Sequence, residues 1–142
     1  RAIDCCPSWS PNGRELAFTS DRGGRPQIYV MDAEGANARR LTYEGSYHDS
    51  AAWSPNGDRI ALVSRIGGHF HLQVMDLATR TLNRLTFGPS NNESPCWSPD
   101  GRHLAFASDR VGHYEIYRIP VEGGEPVRLT DTEGASSPAW AP

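Results

Sequence analysis

Residues 9–13 read Trp9-Ser10-Pro11-Asn12-Gly13, and the pattern returns as Trp53-Ser54-Pro55-Asn56-Gly57 and as Trp97-Ser98-Pro99-Asp100-Gly101. A fourth copy begins with Trp140-Ala141-Pro142. The four tryptophans follow one another at intervals of 44, 44 and 43 residues. Ser, Pro, Asn or Asp, and Gly in this order match the preferences of a type I turn. The pattern therefore predicts one tight turn in every repeat.

Between the turns, apolar and polar residues alternate in short segments, which is typical of β-strands. No window has a sustained helical period. Each repeat accordingly predicts four strands. The first strands are expected at Pro7–Ser10, Ser50–Ser54 and Ser94–Ser98; the second at Glu15–Ser20, Arg59–Ser64 and His103–Ser108; the third at Gln27–Asp32, His71–Asp76 and Glu115–Pro120; and the fourth at Ala38–Thr42, Leu82–Thr86 and Pro126–Thr130.

A repeat of four antiparallel strands, too small to bury its own faces, predicts the blade of a β-propeller. The predicted fold class is all-β, with three four-stranded antiparallel blades plus one extra strand, in an incomplete ring. We expect blades at residues 5–45, 46–89 and 90–133 of a single propeller segment, and the first strand of a further blade at residues 134–142. Propellers usually close with about 4–8 blades, so three leave open what completes the ring.

Superposition of the repeats also predicts the core. The positions expected to pack between blades are apolar in every copy: Leu16, Ile60 and Leu104; Phe18, Leu62 and Phe106; Ile28, Leu72 and Ile116; and Leu41, Leu85 and Leu129. Each tryptophan is expected to plug the space between two blades, with its indole N–H bonded to the backbone.

Composition excludes several classes of function. The formal net charge of −3 gives no basic footprint for nucleic acid. No apolar run approaches the roughly 20 residues that cross a membrane, so no membrane span is expected. The chain shows no signal peptide and does not begin with Met, which favours a mature, processed or excised piece.

The three cysteines are Cys5, Cys6 and Cys96, and an odd number leaves at least one thiol without an intrachain partner. Cys96 stands at the repeat position of Ser8 and Ala52, which predicts a small buried residue beside the tryptophan. The alternatives are a bridge through Cys5 or Cys6, within or between chains, and metal binding. The cysteines do not decide the cellular compartment.

The loops that precede each inner strand are expected to open at the mouth of a central channel, where binding residues commonly lie. A partner-binding rim is expected there, and its residues are Tyr47, His48, Asp49, Asn91, Asn92 and Glu93. This acidic, amide-rich set could hold a basic peptide, a polar ligand or Ca²⁺ through hard oxygen ligands. The alternative is a solvated rim whose Asp and Asn side chains cap turns.

No set of residues in the sequence indicates catalysis. There is no Gly-x-Ser-x-Gly motif. His48, Asp49 and Ser50 are the residue types of a triad, but neighbours on a strand point to opposite faces. His69, His71 and His113 are expected to be exposed on hairpins, with transition-metal binding as the alternative. We therefore predict no catalytic residues and no resident cofactor.

The recurring string Pro-x-Trp-Ser-Pro-Asp-Gly, then Leu-Ala-Phe-x-Ser-Asp-Arg, Ile-Tyr and Arg-Leu-Thr, resembles the TolB-type propeller repeat. The third copy matches best, at residues 95–101, 104–110, 116–117 and 128–130. The second copy departs, with Ser64-Arg65-Ile66 and Leu72-Gln73 at the corresponding positions. The resemblance covers essentially the whole chain. It implies a six-bladed ring in which the first strand of each blade lines the channel.

This type of repeat occurs in periplasmic scaffold proteins and in the propeller domains of oligopeptidases, so the resemblance implies a periplasmic or extracellular location. We expect a non-enzymatic scaffold that binds a protein or peptide partner. A homodimer giving six blades, or further blades of a longer parent, would close the ring. The alternative is the excised propeller portion of an oligopeptidase-type hydrolase, which would gate a catalytic domain absent from this chain.

Overall fold

The computed structural model describes residues 1–141 and consists of three antiparallel sheets of four strands, each hydrogen-bonded in chain order. The first contains β1 (Asp4–Trp9), β2 (Glu15–Ser20), β3 (Gln27–Asp32) and β4 (Arg39–Arg40); the second β5 (His48–Trp53), β6 (Arg59–Ile66), β7 (His69–Asp76) and β8 (Leu82–Arg84); the third β9 (Asn92–Trp97), β10 (His103–Ser108), β11 (Glu115–Pro120) and β12 (Val127–Arg128). Across residues 1–141 no helix forms and no sheet closes on itself. The predicted all-β, incomplete propeller is confirmed.

The Trp-Ser-Pro-Asn-Gly motif forms the predicted tight turn. Gly13 N donates to Ser10 O at 2.9 Å, and Gly13 has a φ of 70°. Glycine suits this position because a Cβ is strained in the left-handed region. The Ser10 hydroxyl donates to Asn12 Oδ1 at 2.8 Å and accepts from Glu15 N at 3.0 Å. These bonds fix the hairpin between the inner strand and the second strand of the blade.

The outer strands are shorter than predicted because a threonine side chain replaces the backbone in the ladder. In the first blade, Leu41 N donates to Ile28 O at 2.8 Å, but Ile28 N donates to Thr42 Oγ1 at 3.0 Å. The same exchange occurs in the other blades, from Leu72 N to Thr86 Oγ1 and from Ile116 N to Thr130 Oγ1. The recurring Leu-Thr pair therefore ends the fourth strand of each blade.

Each inner strand, β1, β5 and β9, contains a β-bulge at one repeat position. The residue there has a positive φ in every copy: 57° at Cys6, 55° at Ser50, 56° at Ser94 and 54° at Ser137. Residues other than glycine seldom adopt this conformation. A bulge bends the strand and changes the direction of the side chains beside it. These strands also begin two or three residues earlier than predicted.

The core lies in two seams between adjacent blades, as the repeat pattern predicts. The seam between the first and second blades contains Ala17, Ile28, Val30, Leu41, Ala51, Ile60, Leu62 and Met75. The seam between the second and third blades contains Ala61, Val63, Leu72, Val74, Leu85, Trp97, Leu104, Phe106, Tyr117, Ile119 and Val121.

Three of the predicted core positions are not buried. Leu16 and Ile116 are half-buried, and Leu129 is 50% exposed. All three belong to the terminal blades, on faces that no neighbouring blade covers within residues 1–141. The prediction was wrong here because superposing the repeats treats every blade as internal.

The tryptophans differ in how they contact the preceding blade. Trp97 is 8% exposed, and its Nε1 donates to Ala52 O at 2.8 Å. Trp140 repeats this contact on the next blade, with Nε1 donating to Cys96 O at 3.2 Å. Trp53 instead donates to Gly57 O in its own turn, at 3.2 Å, and Trp9 is 57% exposed. The predicted role is confirmed for Trp97, and Trp140 makes the predicted backbone bond while remaining half-buried.

The extra strand predicted at residues 134–142 does not form within the described residues, and Pro142 lies outside them. The segment nevertheless follows the course of an inner strand. Ala135 N donates to Tyr114 O at 2.7 Å, and Ser137 keeps the φ of the bulge. Within residues 1–141 this segment has no second strand of a fourth blade with which to form a ladder.

Candidate functional site on the channel face

The inner strands β1, β5 and β9 lie side by side and form one surface, called here the channel face. Trp53 N donates to Ser8 Oγ at 3.0 Å across the first seam. At their bulges the three strands present pairs of residues in the same register: Cys5-Cys6, Asp49-Ser50 and Glu93-Ser94. Both cysteines are exposed, and the other four residues are half-buried. The three pairs, together with Tyr47, are the candidate site.

The Asp49 carboxylate is held in place by three donors. Oδ1 accepts from Thr19 Oγ1 of the first blade at 2.9 Å and from Ser50 N at 2.5 Å. Oδ2 accepts from the Tyr47 hydroxyl at 3.0 Å. Burial, followed by the hydrogen bond to Asp49, raises the pKa of Tyr47 to about 12. The tyrosine is therefore a neutral donor, and Asp49 is a fixed negative charge at the channel.

A cavity of about 220 Å³ lies beside Asp49, between the second and third blades. Its lining includes the Asp49 and Glu93 carboxylates and the rings of Tyr47 and Phe70, whose centroids are 5.6 Å apart. None of the residues lining this cavity is basic. Burial, followed by a hydrogen bond to Glu93, raises the pKa of Tyr114 to about 12. Two carboxylates beside aromatic rings suit a cationic group.

His48 lies behind this surface rather than on it. It is 3% exposed, its Nδ1 is 2.6 Å from Ser64 Oγ, and its Nε2 is hydrogen-bonded to Glu44 O. Burial lowers the pKa of His48 below its usual value. Ser64 also donates to Gln73 Oε1 at 2.6 Å. This buried set ties the inner strand of the second blade to β6 and β7.

Asn91 and Asn92 also bond to the scaffold. Asn91 N and Nδ2 donate to the two oxygens of Asp109 at 2.7 and 3.0 Å, and Asn91 Oδ1 accepts from Phe70 N at 3.0 Å. Asn92 is fully buried; its Nδ2 donates to Phe70 O at 3.1 Å, and its Oδ1 accepts from Arg110 at 2.9 Å. Of the six rim residues expected from the sequence, the structure brings Tyr47, Asp49 and Glu93 together on the channel face.

In the first and third blades, the Ser-Asp-Arg motif secures the inner strand from behind. Asp21 Oδ1 accepts from Ile3 N at 2.7 Å, and Arg22 donates to Asp4 at 3.0 Å while lying over the rings of Phe18 and Tyr29. The third blade repeats the arrangement with Asp109 and Arg110. In the second blade, where the motif is absent, the His48, Ser64 and Gln73 set occupies the corresponding positions.

One buried polar position escaped the sequence analysis. It holds Gln27, His71 and Glu115 in the three blades, each hydrogen-bonded to the threonine that ends the outer strand. His71 is 1% exposed, so the expectation of an exposed hairpin histidine was wrong for this residue. The recurrence of a polar residue just before the repeated Ile or Leu of the third strand could have identified the position.

The cysteines were also not recognised as channel residues. Cys96 lies beside Trp97 but is half-buried rather than buried as predicted, and the thiols of Cys5 and Cys6 are free and exposed, with their sulfurs 3.1 Å apart. Burial, followed by the hydrogen bond to Cys5, raises the pKa of Cys6 to about 12. The signal was their register, because Cys5 aligns with Asp49 and Glu93 once the repeats are superposed.

Among the described residues there is no helix that is both long and apolar enough to cross a bilayer.

The sequence profile of the TolB beta propeller domain matches residues 1–78 and 50–142, which together span the chain. Over 37 residues the chain is 60% identical to the uncharacterized peptidase YuxL of Bacillus subtilis, covering 25% of this chain and 6% of that protein. Over 36 residues it is 50% identical to the Tol-Pal system protein TolB of Bordetella pertussis, covering 25% and 8%. The chain thus spans less than a tenth of these curated relatives.

Solved structures extend the similarity to most of the chain. TolB from Acinetobacter baumannii has a TM-score of 0.76 and 28% identity, covering 91% of this chain and 32% of that one. A puromycin-hydrolyzing peptidase of Mycobacterium tuberculosis also has a TM-score of 0.76, with 19% identity, covering 92% and 24%; at that identity the likeness shows the fold alone. The repeats, the blades and the profile match together place the chain in the TolB β-propeller domain family.

Proposed function

We propose that the chain is a non-enzymatic β-propeller module that binds a protein or peptide partner through its channel face. The observation that carries this proposal is the cavity between the second and third blades, where Asp49 and Glu93 lie beside the rings of Tyr47 and Phe70. A lysine or arginine side chain of a partner would meet two carboxylates and an aromatic face there. Such a surface favours basic peptide segments and disfavours acidic ones.

The use of the polar residues supports a binding role over a catalytic one. His48 contacts the hydroxyl of Ser64, but Ser64 is 2% exposed and donates to Gln73. A nucleophile buried in this way cannot meet a substrate. His71 is likewise buried against Thr86.

The proposal includes completion of the ring by a second copy of the chain. The first blade leaves a cavity of about 270 Å³ on its outer face, lined in part by Pro7, Leu16, Phe18 and Met31. The third blade leaves Leu129 half exposed on the opposite side. At each seam within the chain, one blade contributes a face equivalent to the uncovered face of the first blade, and its neighbour contributes a face equivalent to the uncovered face of the third blade. These two uncovered faces are therefore expected to pack against each other. The alternative is that further blades of a longer parent protein cover these two faces.

A second candidate function is the propeller portion of a hydrolase. The 60% identity with a protein named as a peptidase favours it, although over only 37 residues. Sequencing the surrounding gene distinguishes the two. A downstream α/β-hydrolase segment with a Gly-x-Ser-x-Gly motif would replace the scaffold proposal by this one. The location expected for the scaffold, by resemblance, is periplasmic or extracellular, and cell fractionation tests it.

The binding proposal is tested by fluorescence anisotropy with a labelled lysine-rich peptide and its glutamate-rich counterpart. We expect the lysine-rich peptide to bind and the glutamate-rich peptide not to bind. The double substitution Asp49→Asn with Glu93→Gln should weaken binding of the lysine-rich peptide about tenfold or more. The matched control is Glu34→Gln with Glu125→Gln, which makes a similar charge change at exposed positions outside the channel face. An equal loss of binding in the control, or no preference between the peptides, would contradict the proposal.

A further inference from the structure

We propose that Cys5, Cys6 and Asp49 form a binding site for a thiophilic divalent cation, represented by Zn²⁺, on the channel face. The two sulfurs and one carboxylate oxygen all lie within 4.8 Å of one another. The cysteines belong to β1 of the first blade, and Asp49 belongs to β5 of the second. A bound cation would therefore join two blades across their seam.

The β-bulge is what makes the two cysteines usable as a pair. Neighbouring residues of a regular strand point to opposite faces, so their sulfurs cannot meet at one ion. At the bulge, Cys6 has a φ of 57°, and its sulfur lies 3.1 Å from that of Cys5. The register of β1 against β2 shifts at the same place. The backbone thus turns two consecutive thiols toward one point, which also faces Asp49.

The ligand atoms are near enough to share one ion: the two sulfurs lie 3.1 Å apart, and all three ligand atoms lie within 4.8 Å of one another. Zinc binds sulfur at about 2.3 Å and carboxylate oxygen at about 2.0–2.2 Å, which places the ligand atoms of one site about 3.3–3.8 Å apart. The ligand atoms therefore need to move by about 1.5 Å at most to reach these separations, and both cysteine side chains are exposed. Three protein ligands leave the fourth position for water or a group of a partner in the channel.

The carboxylate is already oriented for this role. An ionised carboxylate can accept about four hydrogen bonds, and Asp49 accepts three, from Thr19, Ser50 and Tyr47. One lone pair remains for a cation. Hydrogen bonds of this kind fix a ligand and strengthen a metal site. Thiolates select zinc over calcium or magnesium. The second seam has Asp49-Ser50 and Glu93-Ser94 in the same register, without a thiol, so the site belongs to the first seam.

The proposal is tested by isothermal titration calorimetry of the reduced chain with Zn²⁺ alone. A parallel titration with Co²⁺ is monitored by absorption spectroscopy. We expect one saturable site, thiolate charge-transfer bands with Co²⁺, and release of the thiol protons to the buffer as the sulfur–metal bonds form. Cys5→Ser, Cys6→Ser and Asp49→Asn should each weaken binding about tenfold or more. The fold tolerates these serines, since Ser50 and Ser94 occupy the position of Cys6, and Ser136 that of Cys5.

The matched control is Cys96→Ser, which removes the one thiol outside the site and introduces the residue found at the equivalent position 8. It should bind Zn²⁺ like the wild type. Zn²⁺, but not Ca²⁺, should raise the unfolding temperature of the wild type and leave that of Cys6→Ser unchanged. Absence of saturable binding, or an equal loss in Cys96→Ser, overturns the proposal. Glu93→Gln lies outside this metal group and should bind Zn²⁺ like the wild type while its binding of the lysine-rich peptide weakens, so failure of this site is distinct from failure of the proposed function.

Discussion

At the scale of single residues, one buried position in the third strand of each blade holds a different polar side chain in each repeat. Gln27, His71 and Glu115 each bond to the threonine that ends the outer strand. Glu115 also accepts from Thr132 N at 2.9 Å and Gly134 N at 3.2 Å, and its side chain is fully buried. It thereby anchors the segment that follows the third blade.

Glu115 should make stability depend on pH in acid. The hydrogen bond from the Thr130 hydroxyl lowers the pKa of Glu115 from 4.5 to about 2, and a smaller lowering comes from the Thr132 amide. Because the folded state favours the carboxylate, its stabilisation is complete above about pH 4.5 and is lost as pH falls toward 2. Glu115→Gln, which introduces the residue that the first blade uses, should flatten this part of the curve. Urea unfolding between pH 2 and 7 measures it, and identical curves for variant and wild type would contradict the prediction.

At the scale of elements, the inner strand is the part of each blade that connects it to its neighbours. It carries the bulge, the channel residues and the tryptophan, and the tryptophan N–H crosses the seam to the preceding blade at Trp97 and Trp140. The second seam is therefore closed by a plug with a directed bond, whereas Trp9 of the first blade remains mostly exposed. One residue type at one repeat position thus has two environments.

This contrast predicts unequal effects of the same substitution. Trp97→Phe keeps an aromatic ring but leaves Ala52 O without its donor in a buried seam, which should lower the free energy of unfolding by about 1–3 kcal/mol. Trp9→Phe, at an exposed site, should change it by less than about 0.5 kcal/mol. Equilibrium urea unfolding of both variants measures the difference. Equal losses would show that the seam bond contributes nothing.

At the scale of the whole molecule, two seams are closed and two blade faces remain open. The open faces include Leu16 on the first blade and Leu129 on the third. If a second copy covers them, light scattering at micromolar concentration should give about twice the chain mass of 15.6 kDa. Leu129→Glu should weaken the dimer about tenfold or more, because a charge would be buried without a partner.

Phe87→Glu is the control for that experiment. Phe87 is 68% exposed but lies on the middle blade, against Arg84, and away from both open faces. It should leave the dimer intact. A wild-type chain that scatters as a single copy at these concentrations would rule out closure by a second copy and leave further blades as the cover.

Much of this fold could be predicted from sequence because turns and packing positions repeat. Gly13 and its equivalents, the strand alternation and the seam residues all follow from local rules. The bulge could not, because Cys6, Ser50 and Ser94 adopt a positive φ without the glycine that would signal it. The exposure of Leu129 could not either, since its burial depends on a blade outside its own repeat. Among the expected rim residues, His48 and Asn92 face inward because β5 and β9 begin earlier than the alternation indicates.

The segment at residues 134–141 makes the two ends of the array chemically unlike. It holds the bulge conformation at Ser137 and the tryptophan contact at Trp140 without belonging to a hydrogen-bonded sheet. Whatever extends the structure at this end can add to its backbone by hydrogen bonding, as one more strand of a sheet. At the other end, the first blade has all four strands and presents side chains such as Leu16 and Met31 for packing. If this chain forms part of a ring, as proposed above, its two ends would join their neighbours differently, through backbone pairing at one end and hydrophobic packing at the other.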